Sequence, residues 1–270
     1  MVSIHLRLEM EKRFSLPQRF HSPVRAAMVY VVLAALLLAS ASSSSASSSA
    51  ASSFPDTVTW TDWDGLQVCY PMSIQFPESE AKVVEMVRSA TMSRYQVKVV
   101  GAGHSFSSIA ITDATPLKPA TILSLDKMDK VLDIDPHALR VTVEAGIRVH
   151  VLNDRLLGAH LALPNTGAIA MQSVAGATQT STHGTGRNLG SMSTGITAMR
   201  VVLANGTVLE LDEKRARDKE MLQAARVGLG ALGVVTQVTL KVVPAFKLRR
   251  TVVTMDLDEL IYKLPEVSTS

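Results

Sequence analysis

Apolar and polar positions change their spacing along this chain, and each change predicts an element. Pro77 and the acidic residues after it open a helix whose apolar positions, at 83, 84, 86, 87 and 90, share one face as far as about residue 95. The β-branched run at 97–100 then predicts a strand that ends at a glycine. Further short strands, each bounded by Asp, Pro or Gly, are predicted at 121–125, 131–134 and 140–144.

The second half of the chain mixes helices and strands in the same way. Asn205 and Gly206, a strong hairpin signal, separate predicted strands at 195–203 and 207–211. The remaining predictions are a helix at 149–157, a turn at 161–167, a helix that follows the charged stretch 212–220 to about residue 225, and strands at 234–243 and 248–255. Because no regular βαβ alternation is present, the pattern favours an α+β fold over a doubly wound parallel sheet.

The strand at 97–100 leads into a loop that two glycines leave bare. Gly101, Ala102 and Gly103 are followed by His104 and Ser105. Without Cβ atoms at 101 and 103, successive backbone N–H groups can point into one concavity and bind an anion such as a phosphate. On these residues alone, the alternative is an ordinary strand-ending turn with a surface histidine.

A second stretch, 173–187, consists almost wholly of small and hydroxyl side chains. Such residues let the backbone approach a flat or extended ligand, and their hydroxyl and N–H groups can donate to phosphate oxygens. The alternative is a tightly packed core helix that ends at Gly184, although serine and threonine compete for backbone hydrogen bonds in a helix. His183 on its own is typical of a structural, hydrogen-bonded histidine.

The residues at 228–233 match the letters of the GxGxxG fingerprint. A dinucleotide-binding turn of that kind needs a strand before it and a helix after it, whereas here a helix is predicted before it and a strand after it. The loop that begins at Gly101 does not match the GxGxxG fingerprint, because Phe106 stands where the third glycine should be. A Rossmann fold is therefore not predicted.

Composition allows a sizeable core, since 47% of the residues are hydrophobic. The formal charge of +3 arises in residues 1–53, which hold five basic and two acidic residues, so the rest is formally neutral and no nucleic-acid-binding surface is predicted. Cys69 is the only cysteine, which excludes an intrachain disulfide and a cysteine zinc cluster. With one cysteine there is no CxxC redox pair either, so any redox chemistry must come from a cofactor. The histidines show no metal-ligand spacing, and no metal is predicted.

Residues 1–53 have the composition of a targeting segment followed by a linker. Basic residues up to Arg25 precede an uncharged, apolar run at 26–39, which is shorter than the ~20 residues that span a bilayer. Ala39, Ser40 and Ala41 form an A-x-A cleavage pattern, and 42–53 is almost wholly Ser and Ala. We expect entry into the secretory pathway, with an uncleaved signal anchor as the one route to a membrane and a mitochondrial presequence as the alternative.

Taken together, four segments resemble the PCMH-type FAD-binding domain of the vanillyl-alcohol-oxidase superfamily, and within it the oxidases of arabinono-, gulono- and galactono-1,4-lactone. The segments are VGAGHSFSSIA at 100–110, LPNTG at 163–167, SVAGA at 173–177 leading into STHGTG at 181–186, and GALGVVT at 230–236. The resemblance implies an FAD-binding domain at 54–246, in which two α+β subdomains, at about 70–130 and 131–246, clamp FAD between them. Residues 247–270 begin a C-terminal region.

The resemblance also implies which residues bind the cofactor. The loop at 101–105, called the glycine loop below, would hold the pyrophosphate through its backbone. His104 matches the histidine that such enzymes join covalently to the flavin 8α-methyl group. The implied cofactor-binding residues are Gly101, Ala102, Gly103, His104, Ser105, Ser173, Gly176, Thr178, Thr182, His183, Gly184, Thr185 and Val235.

The implied reaction is hydride transfer from the carbon that bears the lactone C2 hydroxyl to flavin N5, with reoxidation by oxygen or another acceptor, as in ascorbate-type synthesis. The family's cap domain, with its substrate-side catalytic residues, lies after the position where this chain ends. No catalytic residue is therefore assigned, and the chain is expected to be a fragment of a longer oxidase or a truncated product. The alternatives are an alditol or other alcohol oxidase with the same fold, or a non-catalytic flavin-binding protein.

Overall fold

The computed structural model describes residues 58–115, 117–249 and 252–267, all of which belong to the unit Phe54–Ser270. The predicted targeting segment and linker at 1–53 lie outside the described residues. Within the described ranges, no helix combines the length and the apolar character needed to cross a membrane.

The first part of the fold contains a small parallel sheet and one helix. In chain order its elements are β1 (Trp60–Thr61), β2 (Val68–Cys69), β3 (Ser73–Gln75), α1 (Glu80–Met92), β4 (Gln96–Val100) and β5 (Ala120–Ser124). β1 and β2 form an antiparallel hairpin, while β3, β5 and β4 lie side by side in that order and run parallel. The connection from β3 to β4 runs through α1, since parallel strands need a crossover.

The second part is built on a five-stranded antiparallel sheet. Its elements are β6 (Val131–Asp135), β7 (Arg140–Glu144), α2 (Val149–Gly158), β8 (Leu161–Ala162), α3 (Val174–Gln179), β9 (Ile196–Val202), β10 (Val208–Asp212), α4 (Lys219–Ala225), β11 (Val234–Lys241), β12 (Val243–Pro244) and α5 (Leu257–Val267). The large sheet has the order β10-β9-β11-β7-β6, and β12 pairs with β8. The predicted α+β class is confirmed.

Local signals account for the bounds of α1. Ser79 is the N-cap, and its Oγ accepts the N–H of Lys82 at 3.3 Å. Glu80 follows in the first turn, where the helix dipole favours an acid. Val83 and Val87 are buried on one face, and the helix ends before Arg94, which adopts φ +56°. The helix predicted from Pro77 to about residue 95 is confirmed within three residues at each end.

The predicted Asn205–Gly206 hairpin forms between β9 and β10, but only Gly206 has a positive φ, of +76°. The N–H of Gly206 binds the carbonyl of Leu203 at 2.8 Å, and the N–H of Leu203 binds Thr207 at 2.9 Å. A turn followed by one left-handed glycine is the pattern of a longer hairpin loop, in place of the two-residue turn that Asn-Gly most often makes.

The strand predicted at 248–255 is wrong for the residues that the structure describes there, 248–249 and 252–255. Leu248, Val252 and Val253 are strongly exposed, and no neighbouring strand pairs with them. The β-branched pattern of this stretch resembles that of a strand, but a strand also needs an open sheet edge beside it, which local sequence cannot supply.

The two sheets share one hydrophobic core. Val83 and Val87 of α1 and Leu123 of β5 pack in the same buried cluster as Val141 of β7 and Met199 of β9. α1 also reaches the large sheet through polar contacts. The connection between the two parts is therefore packed, and the cleft between them has well-defined walls.

Candidate functional site: a cleft between the glycine loop and α3

The loop after β4 lies against the beginning of α3. A Cβ at Gly101 would overlap the Oγ of Ser173, so only glycine permits this approach. Gly103 adopts φ +71°, and a Cβ there would lie 3.3 Å from the backbone nitrogen of Trp63. No backbone N–H from 102 to 105 donates a hydrogen bond to another described residue. The loop therefore presents unpaired donors, which is what a backbone anion site requires.

The first turn of α3 forms the opposite wall of the cleft. Ser173 is its N-cap. The N–H of Val174 binds the carbonyl of Ile147 at 2.8 Å, and the N–H of Ala175 binds the carbonyl of Ala145 at 2.9 Å. Because these N–H groups are paired within the chain, α3 contributes small side chains and a close surface. The free backbone donors of the site come from the glycine loop.

The third wall is the loop between α4 and β11. Leu229, Gly230, Gly233 and Val235 line the same cleft. Gly233 adopts φ +146°, and a Cβ there would overlap the carbonyl oxygen of Val202. A helix precedes this loop and a strand follows it, as predicted, so the loop is not a Rossmann-type turn. It nevertheless forms part of the site.

These three segments and the neighbouring strands enclose about 200 Å³. Lys98 and His104 are the ionisable side chains among the described residues that line the cleft, and no carboxylate lines it. The rest of the lining is small, apolar or neutral and polar. Such a lining favours an anionic ligand with a flat apolar part.

The structure brings eight of the predicted cofactor-binding residues together around this cleft. They are Gly101, Ala102, Gly103, His104, Ser105, Ser173, Gly176 and Val235. The other predicted residues do not line it. They are Thr178, Thr182, His183, Gly184 and Thr185.

Thr178 is fully buried inside α3, where its hydroxyl donates to the carbonyl of Val174 at 2.9 Å. This is the back-bonding expected of a threonine in a helix. α3 ends at Gln179, so the alternative of a core helix describes 174–179 and does not extend to Gly184.

The stretch 182–185 packs against the predicted turn at 161–167. A Cβ at Gly184 would overlap the side-chain oxygen of Asn165, and a Cβ at Gly167 would lie 2.5 Å from the Cγ2 of Thr182. The Nδ1 of His183 lies 2.8 Å from the carbonyl oxygen of Gly184. A cofactor role for this stretch therefore stays a prediction, for a ligand that extends beyond the cleft.

His104 stands out among the loop residues by its electrostatics. Its Nδ1 is buried and has no hydrogen-bond partner among the described residues. Its ring lies against Trp63, with the ring centroids 5.0 Å apart and the ring planes 34° apart. Burial, assisted by the positive charge of Arg148, holds the pKa of His104 below its ordinary value. At neutral pH the imidazole is therefore uncharged, and one ring nitrogen keeps a free lone pair.

Several residues of the site are not found by sequence reasoning. Trp63 and Arg148 reach His104 from distant parts of the chain, and no local pattern signals either of them. Lys98 carries a signal, since it is a charged residue within a β-branched strand that ends at the glycine loop. Gly230 and Gly233 belong to a segment that the resemblance includes, but their place in the cleft depends on β11.

The donor set fits an FAD-type cofactor in two respects. The unpaired N–H groups around Gly103 suit a pyrophosphate, and the unpartnered nitrogen of His104 suits contact with a flavin ring. In the part of the chain that the structure describes, no three His, Cys, Asp or Glu side chains are grouped so that they could hold a metal ion.

Comparisons with known proteins agree with this fit. Residues 71–212 match a family model described as an FAD binding domain. The chain is 40% identical over 207 residues to an L-gulono-1,4-lactone dehydrogenase of Mycobacterium tuberculosis. It is 38% identical over 207 residues to the L-gulonolactone oxidase of Bos taurus, and 30% identical over 221 residues to the D-arabinono-1,4-lactone oxidase of Saccharomyces cerevisiae.

The first two alignments each cover 77% of this chain, and 46% and 45% of the relatives; the third covers 80% and 40%. The chain thus spans less than half the length of the relatives it matches. Among solved structures, an alkyldihydroxyacetonephosphate synthase superimposes with a TM-score of 0.57 at 19% identity, over 63% of this chain and 31% of that one. This likeness shows the fold and confirms that part of the prediction.

Proposed function

The chain belongs to the FAD binding domain family, and we propose from this that it holds FAD along the cleft and serves the oxidation of a sugar-1,4-lactone. The observation that carries the proposal is the arrangement around Gly103. The backbone N–H groups from 102 to 105 donate to no other described residue, and Ser173 lines the same cleft as this loop. The Nδ1 of His104, in the same loop, has no hydrogen-bond partner among the described residues.

The glycine loop binds the pyrophosphate in this proposal. Its N–H groups donate to the phosphate oxygens, and the missing side chains of Gly101 and Gly103 let the backbone come close. Lys98, on the strand that leads into the loop, adds the positive charge of the lining. Gly176 and Val235 form the small and apolar surfaces on either side.

When bound, FAD accepts a hydride at N5 from the substrate carbon and passes the electrons to oxygen or another acceptor. A sugar-1,4-lactone is proposed as the substrate because the similar proteins carry the names of lactone oxidases and a lactone dehydrogenase. Since both kinds of name occur, the acceptor is proposed as oxygen or another oxidant. The reaction would serve ascorbate-type synthesis.

We further propose that His104 attaches the flavin covalently. The uncharged imidazole loses its ring proton and bonds through a nitrogen to the 8α carbon, which also loses one proton. Oxygen takes up the two electrons and the two protons and becomes hydrogen peroxide. The support for this step is that the ring of His104 is half-buried and uncharged, and that His104 belongs to the glycine loop that lines the cleft.

Flavin retention after acid denaturation tests the covalent link. The wild-type polypeptide, incubated with FAD and precipitated in acid, is expected to keep a yellow, fluorescent chromophore. His104→Ala is expected to lose it, while His137→Ala, at an exposed histidine that does not line the cleft, is expected to keep it. Loss of the chromophore from wild-type protein, or its retention in His104→Ala, would overturn the covalent proposal.

Substrate class is tested by bleaching of the bound flavin. Arabinono-, gulono- or galactono-1,4-lactone is expected to reduce the flavin under argon, and oxygen uptake then identifies the acceptor. Reduction by xylitol or sorbitol, with no response to any lactone, would replace the lactone by an alditol. Flavin that stays oxidised with every compound would favour a non-catalytic flavin-binding role for the chain.

The leader supports a proposal for location. Its apolar run and A-x-A pattern favour entry into the secretory pathway, with a membrane anchor only if the signal is retained and mitochondrial import as the alternative. Amino-terminal sequencing of protein from a eukaryotic host tests this, and a mature chain that begins near Ser42 is expected. A chain recovered from mitochondria would contradict it.

A further inference from the structure

The hairpin formed by β1 and β2 rests on the glycine loop. The N–H of Trp63 donates to the carbonyl of Gly103 at 2.9 Å. A Cβ at Gly103 would lie 3.4 Å from the Cα of Asp62 and from the ring of Trp60. The hairpin turn is itself closed, because the carboxylate of Asp62 accepts the N–H of Gln67 at 2.9 Å. The backbone of Trp63 is therefore held at a fixed place beside the loop.

The side chain of Trp63 extends this contact to His104. The indole is 62% exposed, whereas the imidazole that it touches is half-buried and has a buried Nδ1. A tilted contact between two rings limits the rotation of the smaller one about its side-chain bonds.

Charged groups near the imidazole come from the turn before α2. The guanidinium of Arg148 bonds the carboxylate of Asp126 at 2.7 Å, and its positive charge disfavours a second positive charge on His104. Trp63 adds no charge, and its indole covers the part of the imidazole that it contacts. Both neighbours favour the uncharged imidazole.

We propose that Trp63 is a positioning residue for His104, whose imidazole it holds in one fixed orientation at the wall of the cleft. The inference rests on the proposed covalent attachment of FAD. It assigns to the β1–β2 hairpin, which lies before the glycine loop in the chain, a part in preparing the attachment site.

The rate of covalent flavin attachment tests this role. The purified chain is mixed with FAD, and acid-stable flavin per polypeptide is followed over time. Trp63→Ala is expected to slow attachment about threefold to tenfold, because the ring contact is lost. Trp63→Phe, which retains an aromatic ring, is expected to restore most of the rate. Phe106→Ala, an exposed aromatic residue of the same loop that does not line the cleft, serves as the matched control and is expected to react like wild type.

A second measurement does not depend on flavin. Trp60→Phe leaves Trp63 as the one tryptophan, so its emission can be followed against pH. Protonation of the adjacent imidazole is expected to quench the emission with a midpoint below the ordinary histidine value, and His104→Asn is expected to remove the transition. In Trp63→Ala, the pKa of His104 measured by NMR is expected to rise towards its ordinary value.

The outcomes separate this inference from the function on which it rests. If the wild-type chain forms no acid-stable flavin, covalent attachment fails, and the pKa of His104 in Trp63→Ala, measured by NMR, still decides whether Trp63 controls the imidazole. If Trp63→Ala attaches flavin at the wild-type rate and the pKa of His104 does not move, the positioning role is overturned while the attachment stands. Equal slowing by Phe106→Ala would also overturn it, because the effect would then belong to the loop in general.

Discussion

Gly101 is the residue at which the glycine loop meets α3, and its missing side chain makes the contact geometrically feasible. A Cβ at residue 101 would overlap the hydroxyl of Ser173, which comes much later in the chain. The hydroxyl cannot retreat freely, because as the N-cap it accepts the N–H of Gly176 at 3.3 Å. A methyl group at 101 therefore has to move either the loop or the helix cap.

Gly101→Ala is expected to lower the free energy of unfolding by about 1–3 kcal/mol, the usual cost of overpacking, and to weaken FAD binding. Urea denaturation and a flavin-fluorescence titration measure the two effects. The control is Gly158→Ala, at the end of α2, where a Cβ meets nothing within 4 Å. That variant is expected to gain about 0.5–1 kcal/mol and to bind FAD like wild type. Unchanged FAD binding by Gly101→Ala would contradict the close approach of loop and helix.

The sequence predicts that residue 101 is a bare turn position, but it does not predict what occupies the missing side chain's place. The same holds for His104: the residue is found from its motif, whereas its contact with Trp63 arises only when the β1–β2 hairpin folds back onto the loop. Thr178 shows the opposite case. Its hydroxyl matches a pattern of donors in the sequence, and the structure uses that hydroxyl inside α3. Side-chain partners are properties of the tertiary fold, and local spacing cannot specify them.

At the scale of elements, α1 is joined to the large sheet by a polar cluster at its first turn. The carboxylate of Glu80 accepts hydrogen bonds from Arg200 at 2.7 and 3.0 Å and from the hydroxyl of Thr236 at 2.6 Å. The side chains of Glu80 and Arg200 are 19% and 32% exposed, so the pair is partly shielded from water. A bidentate, shielded pair of this kind is worth more than an ion pair at the surface.

Glu80→Gln is expected to destabilise the protein by about 2 kcal/mol at pH 7, because charge-assisted hydrogen bonds are replaced by weaker ones. Chemical denaturation measures the change. Glu85→Gln, in the same helix, is the control: it breaks an exposed ion pair with Lys82 and is expected to cost at most about 0.5 kcal/mol. Equal effects of the two substitutions would show that Glu80 does not join α1 to the sheet.

The difference in unfolding free energy between the wild type and Glu80→Gln is also expected to depend on pH. The hydrogen bonds that Arg200 donates hold the pKa of Glu80 below its ordinary value, and the hydrogen bond from Thr236 acts in the same direction. The folded chain therefore binds this proton less readily than the unfolded chain. The stabilisation is complete above the ordinary glutamate pKa of about 4.3 and is lost as the pH falls through the lowered value of the folded state. The stability gap between wild type and Glu80→Gln is expected to be constant from neutral pH down to about pH 5 and to close below it.

Elements with long periodic patterns are predicted well, as α1, β9 and β11 show, because their apolar faces are repeated several times. Short elements depend on their neighbours. β8 has two residues and pairs with β12, and neither has a pattern of its own. The stretch at 248–255 has a strand-like composition but finds no partner strand, and α5, which follows it, is not predicted. The parallel order of β3, β5 and β4 is likewise a result of tertiary pairing and cannot be read from alternation.

At the scale of the whole molecule, the cleft lies between two sheets that are packed on a common core. Val87 of α1 and Val141 of β7 belong to different predicted subdomains, yet both are buried in one cluster. Such a shared core predicts that neither subdomain unfolds alone. The proposed cofactor would then bind between two walls whose separation is fixed by core packing. In a close-packed interior, a change in the position of one wall also displaces the other.

Val87→Ala and Val141→Ala are each expected to lower the stability by about 1–3 kcal/mol and to shift a single unfolding transition. Two probes detect this. Tryptophan fluorescence reports on the β1–β2 hairpin, which holds Trp60 and Trp63, and far-ultraviolet circular dichroism reports on both sheets. Val253→Ala, at an exposed position, is the control and is expected to leave both probes unchanged.

Coincidence of the two probes in both core variants would mean that the hairpin, the glycine loop and the large sheet form one cooperative unit. The reason is energetic: a small sheet of three short strands buries too little apolar surface to be stable alone, so it depends on the core that it shares with the large sheet. If Val141→Ala shifted the circular dichroism transition and left the fluorescence transition in place, the hairpin and its loop would unfold independently of the large sheet. In a cooperative unit, by contrast, FAD that binds only the folded cleft is expected to raise the midpoints of both transitions together. A ligand specific for the folded state stabilises the whole unit that must fold to form its site.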